Sequence, residues 1–138
     1  MHEWALAEAV LEATTAALQG RKASCLRSVT VMLGELQSIE QEIFDLALKT
    51  LLEEKPFRQA RFVVEKEPAS FACHTCGHAW GLSTDGLDGT TLEAIHFLPE
   101  AAFSFLRCPA CGGPDFRVEK GRGVSIREIA VSTTGDCA

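Results

Sequence analysis

The chain has 138 residues, 46% hydrophobic and 23% charged, which is enough for one domain with an appendage and rules out disorder on composition. Thirteen Lys and Arg against 19 Asp and Glu give a formal charge of −6, which argues against a nucleic-acid binder, since phosphate contacts need clustered positive charge. No apolar run approaches the roughly 20 residues of a membrane helix, and the first ten residues carry two Glu and no Lys or Arg, the wrong charge for a secretory signal. The expectation is a cytoplasmic protein with no membrane partner.

Glu3 to Gln19 reads as a helix. Ala7, Val10, Leu11, Thr14 and Leu18 recur at three- and four-residue steps and make one apolar stripe. Gly20 is a helix stop. A strand follows, with Val29, Val31 and Leu33 alternating against Ser28, Thr30 and Met32. Gly34 breaks it. Ser38 and Gln41 have capping-box spacing, and Glu40 and Glu42 suit the positive start of a second helix. Its apolar face is Ile43, Phe44, Ala47, Leu48, Leu51 and Leu52, with Pro56 beyond its end. Ala60–Glu67 reads as a second strand and Pro68 ends it.

Residues 70–117 differ in character. They hold three of the four His, two Cys-x-x-Cys pairs and many short Gly- and Pro-punctuated pieces. Val124–Val131 is β-like and too short to stand alone, so it is expected to return to the first sheet. The prediction is an α/β (α+β) fold, two helices on a small sheet with an inserted zinc ribbon. The domains are then 1–69 plus 118–138, discontinuous, and 70–117. Phe103 and Phe105, alternating with Ser104 and Leu106, are expected to fill the small core of the insert. Cys25 is read as a minor core residue, and the tail STTGDCA as frayed.

Cys73 and Cys76 open CHTCGH; Cys108 and Cys111 open CPACGG. Each tight turn aims two thiolates at one point, and Gly77 and Gly112 let the backbone swing toward the sulfurs. Four thiolates at the corners of a tetrahedron suit Zn(II), and a closed site of this kind is structural. Redox zinc release or a catalytic dithiol are the alternatives, but neither pair opens a helix of a βαβ unit. His74 and His78 crowd the first pair, as outer neighbours or in exchange for one cysteine. Thirty-one residues, 77–107, separate the pairs, and the excess length fits an extra loop over about Ser83–Pro99.

The opening Met1-His2-Glu3 carries a second donor set. A free α-amine, the deprotonated amide nitrogen of His2 and its imidazole close two fused chelate rings in one plane. Planar nitrogen donors suit Ni(II) or Cu(II) over Zn(II) and Mg(II), and three nitrogens leave one position open. The Glu3 carboxylate can serve as ligand or outer partner. His96 in AIHFLPE is either a surface histidine or a mobile fourth ligand. Gly121-Arg122-Gly123 lacks the spacing of a phosphate loop. No catalytic constellation emerges, so an enzyme is not expected.

MHEWALAEAV, LGELQSI (Leu33–Ile39), the two cysteine pairs and KGRGVSI (Lys120–Ile126), in that order, resemble the HypA family. The resemblance runs to about Ile129. It implies an α/β nickel-binding domain carrying a zinc domain, with His2 as the essential nickel ligand and the four cysteines on zinc. It further implies delivery of nickel to the [NiFe]-hydrogenase large subunit, with the nucleotide-hydrolysing protein HypB as partner. Two departures stand out. The spacer between the pairs is longer than in most of the family, and position 4 is Trp where many members have a smaller apolar residue. The competing readings are a zinc-ribbon adaptor without a nickel site, a zinc-ribbon nucleic-acid binder, and a redox switch through the Cys-x-x-Cys pairs.

Overall fold

The computed structural model describes residues 2–37, 39–82 and 89–137. In chain order the elements are α1 (Glu3–Leu18), β1 (Leu26–Gly34), α2 (Gln41–Leu52), β2 (Arg61–Glu67), β3 (Ser70–Cys73) and β4 (Ala79–Gly81). They continue with α3 (Gly89–Phe97), α4 (Ala102–Phe105), β5 (Phe116–Lys120) and β6 (Val124–Val131). The chain divides into two compact units. One comprises Met1–Leu33, Ile39–Glu65 and Val124–Ala138; the other comprises Gly34–Ser38 and Lys66–Gly123.

The first unit is two helices on a three-stranded sheet of order β2-β1-β6. α1 buries Ala7, Val10, Leu11, Thr14 and Leu18, the stripe its periodicity marks out. Thr14 donates its hydroxyl to the Val10 carbonyl at 2.8 Å, so its burial leaves no orphan polar group. The helix ends as Gln19 enters the left-handed region at φ 49°. β1 is the central strand, buried from both sides toward its end, so Met32 is buried beside Val31 and Leu33. β6 returns antiparallel to β1, from Leu26↔Val131 to Leu33↔Val124. α2 seats Phe44, Ala47 and Leu48 in the same core. The capping box is not what starts α2. The N-cap is Glu40, with no side-chain cap, and its carbonyl accepts from Phe44 N–H at 2.9 Å. Ser38 lies outside the described residues.

The second unit is built on a sheet of order β4-β3-β5. Its core gathers Leu36, Ala69, Phe71, Ile95, Ala102 and Phe116. Phe71, Trp80 and Phe116 pack with ring centroids 5.4 to 5.6 Å apart. One expectation fails here and another holds only in part. Part of the extra span is helix, not loop: α3 anchors itself by burying Ile95 completely. Residues 83–88 of that span lie outside the described residues. Phe103 stacks its ring on the core residue Phe116, with centroids 4.9 Å apart, but Phe105 does not fill the core. Both sit on the short helix α4, where Ala102 takes the buried position and leaves them 39% and 51% exposed. On a helix, positions 103 and 105 do not share one face, so the two rings cannot both turn to the core.

Residues 34–38 join the second unit through backbone bonds. Glu35 N–H donates to the Glu67 carbonyl and Leu36 N–H to the Gly121 carbonyl, each at 2.9 Å. Gly121 has φ +92°, and a Cβ there would lie 2.4 Å from Ala69 Cα. Only glycine fits that crossing.

The tail is not frayed. Residues Gly135–Cys137 form a 3₁₀ turn, and Cys137 is disulfide-bonded to Cys25.

Candidate metal centres

Cys73 closes β3 and Cys108 follows α4, so the two knuckles come to the site from segments on either side of the helical span. Each knuckle is a tight turn. Gly77 N–H donates to the Cys73 carbonyl at 3.1 Å and Gly112 N–H to the Cys108 carbonyl at 2.7 Å. The turns need left-handed residues at those glycines, which have φ +78° and +73°. Cys73 N–H donates to the His78 carbonyl, and Cys108 N–H to the Gly113 carbonyl. His74 N–H is held by the Asp115 carbonyl at 2.9 Å, which ties one knuckle to the chain beyond the other.

The result is a cluster of four sulfurs, all within 4.8 Å of one another. Cys73 Sγ lies 3.6 Å from Cys111 Sγ, and Cys76 Sγ 3.6 Å from Cys108 Sγ. A tetrahedral zinc with bonds of about 2.3 Å sets its sulfurs roughly 3.8 Å apart. The donor set and its spacing therefore fit zinc. Cys73 and Cys108 are buried, while Cys76 and Cys111 face solvent. Neither His74 nor His78 belongs to the group; the His78 ring instead stacks on Trp80 at 6.1 Å.

Four thiols this close cannot all ionise unaided. Hydrogen bonds, first from Cys76 N–H, lower Cys73 to about 6. Cys76 accepts from His78 N–H, which lowers it, but burial and the neighbouring sulfurs outweigh that and push it up to about 12. Cys111 is raised as well; the neighbouring Cys73 sulfur and burial outweigh the lowering by Gly113 N–H. A bound dication reverses this repulsion, because it holds all four as thiolates.

The amino-terminal donors belong to the first unit. Met1 lies outside the described residues. His2 is exposed and its carbonyl accepts from Leu6 N–H at 2.8 Å, starting α1. Glu3 is buried at 2% exposure. The chain's amino terminus lowers the Glu3 carboxyl most; burial opposes it, and the N–H groups of Glu3 and Glu40 assist. His96 is half-buried on α3, in the second unit. It lines a shallow cavity of about 600 Å³ with Leu92, Glu93 and Phe97. What the sequence left unread is the burial of Glu3 and the pairing of Cys25 with Cys137. The one available signal for the pairing was arithmetic: two cysteines remain once the quartet is set aside.

The family profile described as "Hydrogenase/urease nickel incorporation, metallochaperone, hypA" matches residues 1–131. The chain belongs to the HypA family. It is 42% identical over 138 residues to the hydrogenase maturation factor HypA of Pyrococcus furiosus, covering 99% of each chain. The HypA of Pyrococcus abyssi is 43% identical over 133 residues, covering 95% of this chain and 96% of that one. The fold matches the solution structure of the Ni metallochaperone HypA from Helicobacter pylori with a TM-score of 0.62, at 15% identity, over 95% of this chain and 97% of that one. A second HypA solution structure matches with a TM-score of 0.63 at 17% identity, over 97% of this chain and 98% of that one. HypA is a metallochaperone family of hydrogenase maturation, and the mixed helix-and-sheet fold with an inserted four-cysteine lobe agrees with it. Among the described residues no helix is long and apolar enough to cross a membrane.

Proposed function

We propose that this chain is a cytoplasmic nickel carrier. It takes Ni(II) at its free amino terminus and hands it to the [NiFe]-hydrogenase large subunit, together with a HypB-type nucleotide-hydrolysing partner. The supporting observation is the family match over residues 1–131, which includes Met1, His2 and Glu3. We assign nickel to residues 1–69 plus 118–138, and a structural zinc on Cys73, Cys76, Cys108 and Cys111 to residues 70–117.

The α-amine of Met1 and the amide and imidazole nitrogens of His2 supply the donors. Binding then releases protons, because each donor must be deprotonated. His2 stands at the start of α1, so the donors sit on a rigid stem. Glu3 assists as ligand or outer partner. Because Cu²⁺ outranks Ni²⁺ in general affinity, selectivity comes from metal supply and docking. The carrier has no catalytic role in this reading. Nickel should be titrated into untagged protein and into the same protein with one extra amino-terminal residue. The extended chain is expected to lose the site. Equal binding by both discards the terminal chelate.

One observation favours a second reading, a zinc-ribbon adaptor. Phe97, Leu98, Phe103 and Phe105 are all exposed on the second unit, Phe97 at 80%. An adaptor tolerates both the extension and His2→Ala.

A further inference from the structure

The clustered sulfurs account for four of the six cysteines. The remaining two, Cys25 and Cys137, are joined to each other with Cα atoms 5.6 Å apart. The bond lies within the first unit and links its first chain segment to its last. Independent contacts hold the same junction. The Cys25 carbonyl accepts from Ser132 N–H at 2.7 Å, and Lys22 Nζ meets the Asp136 carboxylate at 3.2 Å. Leu26, next to Cys25, pairs with Val131 in the sheet. Backbone pairing thus brings the two sulfurs together. Cys25 is 1% exposed, whereas Cys137 is half-buried.

We propose that Cys25 and Cys137 form a reversible thiol–disulfide site, chemically separate from the four-cysteine cluster, whose closed state clamps the carboxyl-terminal return onto the first unit. The return needs a clamp because of the chain's path. β6 completes the first sheet, yet the chain reaches it only after building the second unit. When the second unit opens, the reduced chain keeps β6 in place by pairing and packing alone. The bond closes a loop across 112 positions, and a loop that long restricts the unfolded chain strongly.

The oxidant is a low-molecular-weight disulfide such as glutathione disulfide. The Cys137 thiolate attacks one of its sulfurs, forming a mixed disulfide and releasing one thiol. The Cys25 thiolate then attacks Cys137 Sγ and expels the second thiol. One S–S bond breaks in the reagent and one forms in the protein. Two electrons pass to the reagent, and the two released thiols take up the two protons. Reduction runs backward through attack at Cys137, the accessible sulfur.

The test uses untagged, zinc-loaded, full-length protein equilibrated across glutathione redox ratios, then alkylated and peptide-mapped with zinc release monitored. A Cys25–Cys137 cross-link with zinc retained is expected. The oxidised protein should melt on the order of 10 °C above the reduced one. Cys137→Ser should melt with the reduced wild type in both buffers. After zinc is stripped by a chelator, α1, β1 and β6 should keep their hydrogen-exchange protection in the oxidised protein and lose it in Cys137→Ser. Three results overturn the proposal: free thiols at every ratio, a bridge among Cys73, Cys76, Cys108 and Cys111 with zinc loss, or equal melting of both redox states.

Discussion

A carboxylate buried to 2% exposure, as Glu3 is, persists only when its charge is answered. The amino terminus answers it foremost, and the Glu3 carboxyl falls below its ordinary 4.5. A depressed folded-state value stabilises the fold at pH above the unfolded value, and that gain is lost as pH falls through the folded one. Glu3→Gln is therefore expected to lose roughly 1–3 kcal/mol at pH 7, with the gap to wild type closing as pH drops below 4.5. Urea unfolding at several pH values measures both. His2 gives the contrasting case. It is exposed, so His2→Ala should change stability by under about 0.5 kcal/mol. If it is a nickel donor, the same change weakens nickel binding at least about tenfold, which calorimetry reads directly.

Among the elements, the glycine turns separate two kinds of cost. At Gly77 a Cβ meets open space, so Gly77→Ala faces only the left-handed backbone, about 1–2 kcal/mol. At Gly121 the same change drives a methyl to 2.4 Å from the Ala69 backbone. Neither chain there can yield without breaking the bonds to Leu36 and Glu67, whose carboxylate accepts from Gly121 N–H at 2.8 Å. Gly121→Ala is expected to cost more than Gly77→Ala, on the order of 3 kcal/mol, in thermal or urea melts. The helices show where local reading succeeds. α1 was legible because five apolar or small residues fall on one stripe over 16 residues. α3 was not, because a helix of nine residues gains its stability from one buried side chain, Ile95.

At the scale of the whole molecule, the second unit gathers a small core of six buried side chains among the described residues. Such a core leaves a fold near the margin where metal is needed. A strong chelator at neutral pH is expected to unfold β3, β4 and β5, and Cys76→Ser to do so in part. Hydrogen exchange should register the loss there, while α1 and α2 of the oxidised protein stay protected. If the second unit keeps its protection without metal, the cysteine quartet is not a structural staple.

Short-range order was written in the chain. Apolar periodicity specified α1, β1 and α2, and the spacing within each Cys-x-x-Cys pair specified the two knuckles of a four-sulfur cluster, because turns and stripes involve residues a few positions apart. Tertiary structure alone decided the rest. It joined Cys25 to Cys137 across 112 positions, buried Glu3, and left Phe105 exposed while Ala102 faced in. Each of those outcomes depends on which distant segment arrives alongside, and no local pattern of residues carries that information.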